Sequence, residues 1–426
     1  MRVLRSAALL AFAMGLATEG HAAGFAIFEQ GARGMGMAGA YTANPKDASA
    51  IFHNAAGIAF LKGKQFYVGG TFVHPMSTFT GDNPLPGAGV IEKGDVGFIP
   101  VPSLYYTQQV ADRMTLGIGV HAPFGLATKW ANPDSYTGRF LSLEANLKSL
   151  AINPTVAFKV QDRLAVGGGV DFRASKVELR RRVPSVNPFT QKATDIAEVD
   201  LTSSWNWGVG FNVGIIAKPS EDISFGAAYR HKVRVDYGGT AAFTQLPTGS
   251  SEFDSIVSAS LAQGALPIST SITFPAVANV GVAYERNDWT FAGDVVWYQW
   301  STFKELAIDF TDTPGIEQIV PENYENSLQL RLGVERHINE WWEARGGYFY
   351  DKTPAPAAAV SPLLPDASRH GIALGGSFLR GKWRFDAGLW YLFFKSRSTE
   401  GVNRDNYNGT YDNSALTLSA SAGYRF

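Results

Sequence analysis

Three glycines at the spacing Gly34-x-Gly36-x-x-Gly39 match, by letter, the loop that cradles a dinucleotide pyrophosphate. That chemistry needs a strand before the loop and a helix after it. Here the glycines follow an export signal instead, and they read as small residues that let a segment fold tightly. Beyond residue 22 the histidines are His53, His74, His121, His231, His337 and His370, and none stands in His-Glu-x-x-His or another close ligand spacing. No metal site is expected from them. There is no Cys and no Gly-x-Ser-x-Gly elbow, so neither nucleophile can be assembled from the sequence. The expectation is therefore no catalytic residue, no cofactor and no enzyme.

Two further groups carry possible binding chemistry. In residues 173–182 (RASKVELRRR), Lys176, Glu178 and Arg180 share one face on period 2. They form either a solvated rim facing lipopolysaccharide, or a site where Lys176 or Arg180 turns inward and pairs with a ligand carboxylate. His121-Ala122-Pro123-Phe124-Gly125 follows the regular run 114–120. Proline cannot donate to a ladder and glycine weakens one. The strand either ends there at a rim or kinks and opens a wall sideways.

The elements that must position these groups are strands. Residues 414–426 (SALTLSASAGYRF) put Leu416, Leu418, Ala420, Ala422, Tyr424 and Phe426 on one face and small or polar residues on the other. Residues 383–393 and 289–297 repeat the pattern, with Arg384, Asp386 and Asp294 on the face opposite the aromatics. The pair Glu343 and Arg345 likewise opposes Trp342, Ala344, Tyr348 and Tyr350. With 45 Gly, 13% aromatic and 18% charged residues and a mean hydropathy of −0.06, the chain fits a transmembrane barrel, in which apolar and polar residues alternate and cancel. A formal charge of −1 does not suggest nucleic-acid binding. Short polar turns alternate with seven long segments, near 79–96, 125–146, 181–199, 236–272, 311–324, 352–368 and 396–413, which predicts fourteen strands. The fold class is thus all-β: a fourteen-stranded antiparallel transmembrane barrel with a small N-terminal plug of short helices in its lumen.

The N-terminus divides in two. Arg2 and Arg5 precede the apolar stretch 7–18, too short to span a bilayer that needs roughly 20 residues. Residues 1–22 read as a signal peptide cleaved after Ala22. Residues 23–62 have no alternation and are rich in Gly and Ala, so they read as the plug, and 63–426 as the barrel. Phe25, Ile27, Phe28, Ile51 and Phe52 can line an apolar pocket.

Several segments resemble the FadL family of outer-membrane hydrophobe transporters, which includes toluene-type members. They are Ala23-Gly24-Phe25, Glu29-Gln30, Gly34–Ala40 and Asp47–Gly57, then Gly125–Thr128, Trp300–Phe303 and Pro362–Asp366 before Arg369. In the plug motif Asn54-Ala55-Ala56-Gly57, Ala55 stands where most members have Pro. The resemblance implies a surface capture groove, an inner apolar pocket and exit through a lateral opening at a kinked third strand. It also implies a basic residue near the start of the tenth strand, where this chain has Glu325, with Arg331 six residues on. The expected activity is outer-membrane passage of hydrophobic molecules, long-chain fatty acids first. Neutral aromatic or alkane hydrocarbons are the alternative, and a general porin or surface enzyme a more distant one. Expected partners are the ligand, outer-membrane lipid and lipopolysaccharide, and the barrel-assembly machinery that inserts a monomer in the Gram-negative outer membrane.

Overall fold

The structure is a computed structural model that describes residues 24–262, 264–312 and 317–426. The expected signal peptide lies outside the described residues. Fourteen antiparallel strands close on themselves around a plug. In chain order they are β1 (Lys64–Gly81), β2 (Ile99–Ala111), β3 in two pieces (Met114–His121 and Gly125–Lys129), β4 (Glu144–Gln161) and β5 (Leu164–Val186). Then come β6 (Ala193–Ser203 and Asn206–Ala217), β7 (Ile223–Arg230 and Val233–Gln245), β8 (Ala265–Phe274 and Val277–Arg286) and β9 (Trp289–Tyr298). The wall finishes with β10 (Ser327–His337), β11 (Trp342–Asp351), β12 (Arg369–Arg380), β13 (Trp383–Phe394) and β14 (Gly409–Arg425). Pairing of β1 with β14, from Gln65↔Arg425 to Gly81↔Gly409, closes the barrel. Closure removes the free edges that hydrocarbon would punish.

Alternation sets the faces. Along β6, Trp207, Val209, Phe211, Val213 and Ile215 are exposed, while Gly208, Gly210 and Asn212 between them are covered from inside. On β13, Phe385, Leu389, Tyr391 and Phe393 face lipid, and Arg384 and Asp386 are buried in the lumen. Several strands run beyond the roughly 10 residues that cross a bilayer, so the loops are shorter than the sequence suggests. β5 and β6, for example, extend to Val186 and from Ala193 and pair across what reads as a long loop at 181–199.

The plug is short and nearly all buried. It contains α1 (Ala32–Gly36), α2 (Ala50–His53) and a 3-10 turn (Ala55–Phe60). These helices are too short to persist alone; the wall holds them. At α1 the fit depends on glycine: a Cβ added to wall residue Gly375 would stand 2.7 Å from the Gly36 Cα. The letters that resemble a phosphate loop thus serve close backbone packing. A buried ion network fastens the same helix. Arg33 pairs with Glu335 at 2.9 Å, Arg345 with Glu335 at 2.6 Å, and Arg384 with Asp386 at 2.9 Å. Both Arg345 and Arg384 also pair with Glu343. Asn54 pins the far end, donating to the carbonyls of Thr42 (2.9 Å) and of wall residue Ile215 (3.1 Å), and accepting from the Ala56 amide (3.1 Å).

With its cross-section filled in this way, the lumen should conduct ions poorly. Deletion of residues 24–60 is expected to leave an inserted barrel with a large steady conductance in planar bilayers. A truncated protein that inserts and conducts no more than the full chain would place the seal elsewhere.

Candidate transport site

β3 is broken at residues 122–124. Its first piece pairs with β2 up to Ser103↔His121 and with β4 up to His121↔Ala151. Its second piece pairs with β4 from Gly125↔Lys148, one residue out of step. The slip and Pro123 turn the chain inward, away from β2. Five of the freed polar groups find partners in the plug and in one hydroxyl. The Gln30 side-chain amide donates to the Ala122 carbonyl (2.8 Å). The Ile27 amide donates to the Pro123 carbonyl (2.9 Å) and the Gly125 amide to the Phe25 carbonyl (2.9 Å). Ser149 on β4 donates to the Phe124 carbonyl (2.6 Å) and accepts from its amide (3.3 Å). Residues 25–27 therefore act as a short inner strand bridged to the kink at Ala26↔Phe124. The approach is close at Gly125, where a Cβ would stand 2.8 Å from the Cδ1 at the end of the Ile27 side chain.

Residues 24–28 also separate three cavities. Gly24 borders an outer cleft between the kinked strand and β12–β14, lined by Val96, Leu126, Thr128, Lys129 and Arg369. Phe25 borders an upper, largely apolar cavity with Leu126, Leu147, Val177, Leu179, Phe303 and Leu306. Ala26, Ile27 and Phe28 border an inner cavity together with Phe52, Pro123, Phe124, Val277, Tyr298, Arg230 and Arg331. The partition between upper and inner cavities is aromatic: Phe25 meets Phe124, Phe274, Trp300 and Phe303 edge-on, at 4.7 to 6.2 Å between ring centres. Such contacts add to plain burial without fixing one rigid arrangement.

The apolar plug residues divide among these spaces. Ile27, Phe28 and Phe52 line the inner cavity and Phe25 the upper one. Ile51 lines neither; it packs against β3 at Gly117 and Gly119. His121 ends the regular part of β3, buried beside Phe52 and Tyr105.

The sequence left two places open for Lys176 and Arg180. On β5, Val177 and Leu179 point into the lumen core, so Lys176 and Arg180 face outward. Lys176 pairs with Glu178 (2.6 Å), and Arg180 with Glu144 (3.0 Å) and Glu198 (3.7 Å). This position matches the solvated-rim alternative, and neither residue reaches the inner cavity. The inward basic residues near the kink and the inner cavity are Arg173, Arg230 and Arg331. Arg173 and Arg230 share one carboxylate, Asp171, at 2.7 and 2.8 Å. Arg173 stacks over Phe124 and Phe274, about 5 Å from each ring centre, and its Nε and Nη1 have no partner among the described residues. Arg331 lies 4.2 Å over the Phe28 ring. It donates to the Gly39 carbonyl (3.0 Å) and to Gln329 (2.6 Å) and forms no ion pair among the described residues. Glu325 is exposed, away from the cavity. Period-2 counting from Asp171 places Arg173 inward, which the sequence reading passed over by starting at Lys176.

Comparison with known proteins places this geometry. A family profile described as outer membrane protein transport protein (OMPP1/FadL/TodX) matches residues 13–426. The chain belongs to that family. It is an outer-membrane transport protein of a Gram-negative cell, in agreement with the barrel. It is 24% identical to the long-chain fatty acid transport protein of Escherichia coli O6:H1, over 99% of this chain and 98% of that one. It is 26% identical to outer membrane protein P1 of Haemophilus influenzae, over 98% and 95%. Among solved structures, a Pseudomonas aeruginosa FadL homologue superposes with a TM-score of 0.81 at 22% identity, covering 95% of this chain and 100% of that one. The Pseudomonas putida toluene transporter TodX gives 0.74 at 18%, covering 94% and 99%. At these identities the superpositions speak for the fold.

A loop carboxylate tethers the inner strand. Asp366, buried in the segment 352–368, accepts from the Gly24 amide (3.1 Å) and from the Thr353 hydroxyl. Burial pushes its carboxyl up to about 7, against the Thr353 hydroxyl and the Arg369 guanidinium, which pull it down. In an unfolded chain an aspartate titrates near ~3.9. The folded protein thus holds a proton that the unfolded chain releases, so this contribution to stability is present in acid and is lost as pH rises through about 7. Asp366→Asn is expected to flatten the pH dependence of the thermal midpoint in detergent between about 4 and 7. An unchanged slope in the variant would assign that dependence to other groups.

Proposed function

We propose that the chain takes up long-chain fatty acids, by capture at the outer surface, transfer to the inner cavity and lateral exit at the kink in β3. The observation that carries the reading is the inner cavity itself. It is apolar along Ile27, Phe28, Phe52, Phe124 and Val277, yet its wall holds the Arg331 guanidinium without an ion pair among the described residues. Apolar burial contributes roughly 25 cal/mol per Å², enough for the tail of an acid. A buried cation with no carboxylate in contact favours a ligand that brings one. The E. coli relative's name, long-chain fatty acid transport protein, supports the same class. The toluene transporters among the structural neighbours support the neutral alternative, which the same apolar cavity could also serve.

If Arg331 reads the acid head, Arg331→Gln should weaken fatty-acid binding about tenfold, near 1.4 kcal/mol for one charged hydrogen bond. Binding of a neutral hydrocarbon of similar length should change by less than about twofold on the same scale. Lys176→Ala with Arg180→Ala should leave both ligands unaffected, since these residues face outward. Equal losses for acid and hydrocarbon in Arg331→Gln would remove the carboxylate from the reading. Isothermal titration of the purified proteins measures all of these.

Lateral exit rests on the broken β3 wall beside the cavity and on the plug below it. Because the chain has no Cys, a disulfide can be engineered cleanly to hold the plug. Ala32 on α1 donates its amide to Ser421 on β14 at 3.1 Å, so Ala32→Cys with Ser421→Cys should bridge plug to wall. If ligand leaves sideways above α1, oxidised and reduced forms should take up fatty acid equally in cells. Uptake that stops on oxidation and returns on reduction would favour a path down the lumen past the plug.

A further inference from the structure

The break in the wall has two edges, and the pairing described above concerns only that of β3. The β2–β3 ladder stops at Ser103↔His121, whereas β2 stays paired with β1 as far as Ile99. Residues 99–102 of β2 therefore face the opening along one side, and their sequence is Ile-Pro-Val-Pro.

In an antiparallel ladder, alternate residues send both N–H and C=O to the same neighbour. The Gln109 amide donates to the Gly63 carbonyl at 2.9 Å, so odd-numbered residues of β2 face β1. The unbroken β1–β2 register from Lys64↔Gln108 to Val73↔Ile99 carries that parity to Val101 and Ile99. Pro100 and Pro102 are the residues that face the opening. Their carbonyls point to it, and a ring carbon stands where each N–H would be. The rings themselves are exposed on the outer face, in line with exposed Phe98 and Leu104.

We propose that Pro100 and Pro102 hold the wall open from the β2 side, by removing every donor from the edge that β3 would otherwise rejoin. The purpose of the device rests on the lateral-exit reading, but its chemistry does not. A free strand edge recruits a partner because it offers both donors and acceptors, and proline on an edge blunts it. Here the two edges are treated differently. The carbonyls of β3 at 122–124 are satisfied by the plug and by Ser149, while β2 loses its donors along the opening. The opening is then a stable feature of the wall in lipid, with no need for a ligand or partner to prise it apart. It also follows that straightening β3 alone cannot close the wall, because the strand would meet carbonyls and proline rings.

The test uses three full-length variants inserted in the outer membrane: Pro100→Val with Pro102→Val, Pro123→Val with Gly125→Val, and all four together. Insertion is confirmed by heat-modifiable migration before any other measurement. Hydrogen exchange read by mass spectrometry follows the new amides at positions 100 and 102, and fatty-acid uptake is measured on the same cells. In the fourfold variant both amides should become protected and uptake should fall tenfold or more. In the β3 pair alone, residues 122–125 should exchange as in the wild type, because the β2 edge still offers no donor. If the β3 pair alone protects residues 122–125 as fully as the fourfold variant does, or if the fourfold variant leaves both amides exchanging freely, the prolines do not hold the wall open. Protected amides with full uptake would uphold the edge chemistry and defeat the lateral-exit reading instead.

Discussion

A strand in hydrocarbon has no water to bond, so each backbone N–H and C=O must find its partner in protein, at a cost of several kcal/mol for each failure. The rest of this structure depends on that constraint. It requires the closure of β14 on β1, and it makes any interruption of the wall a problem to be solved locally. The interruption at residues 122–124 is solved with groups that come from elsewhere in the chain. The amide of Ile27, the carbonyl of Phe25, the side chain of Gln30 and the hydroxyl of Ser149 replace what β2 would have supplied. The N-terminal segment is thus part of the wall as much as of the plug. Its position and the shape of the opening are coupled through two backbone hydrogen bonds.

The same segment divides the cavities, so the coupling extends to them. Phe25 closes the upper cavity from the inner one by edge-on ring contacts, and Ile27 touches the kink at Gly125. Below them the plug is held far more strongly, by Arg33, Glu335, Glu343, Arg345, Arg384 and Asp386 in one buried network. Buried ion pairs are weak evidence for stability, but losing one partner leaves an uncompensated charge at a cost of about 3–5 kcal/mol. A plug fastened this way at α1 and held above by a few backbone bonds, the Asp366 carboxyl at Gly24 and aromatic contacts has its easier motion at residues 24–28. That is the place where the three cavities meet.

Much of this was legible in the sequence, and the part that was not has a physical cause. β9, β13 and β14 read directly because their alternation runs across the bilayer, where apolar residues face lipid and polar ones the lumen. Pro123 and Gly125 marked the kink because proline and glycine are out of place in a ladder. The partners of the kink carry no local mark: Gln30 and Ser149 are ordinary residues until the fold brings them to 122–124. The assignment of Lys176 and Arg180 to a ligand fails to fit for a different reason. Above the membrane the polarity of a barrel wall inverts, since its outside meets water and its inside is filled with apolar side chains. On β5 the inversion falls between Phe172-Arg173, lipid-facing and lumen-facing, and Lys176-Val177, water-facing and core-facing. Periodicity shows which residues share a face, but only the height of the membrane shows which face that is.

That inversion also bears on how an amphipathic ligand would be received. The upper cavity is lined by Leu126, Leu147, Val177, Leu179 and Leu306 and offers little to a carboxylate. The inner cavity combines an apolar floor with Arg230 and Arg331, and the two guanidiniums differ in what they have left to give. Arg230 is already committed to Asp171, which Arg173 shares. Arg331 spends its donors on a backbone carbonyl, a neutral amide and the Tyr298 hydroxyl; it lies over the Phe28 ring, faces Asp294 across the ladder and touches no carboxylate among the described residues. A cation over an aromatic face is stabilised by about 0.5–2 kcal/mol, well short of what a desolvated charge needs. A carboxylate arriving with an apolar tail would supply the missing charge at the same place where the tail finds its pocket. An acid would thus gain twice from the inner cavity, and a hydrocarbon once. This favours an acid as ligand without closing the site to a neutral one.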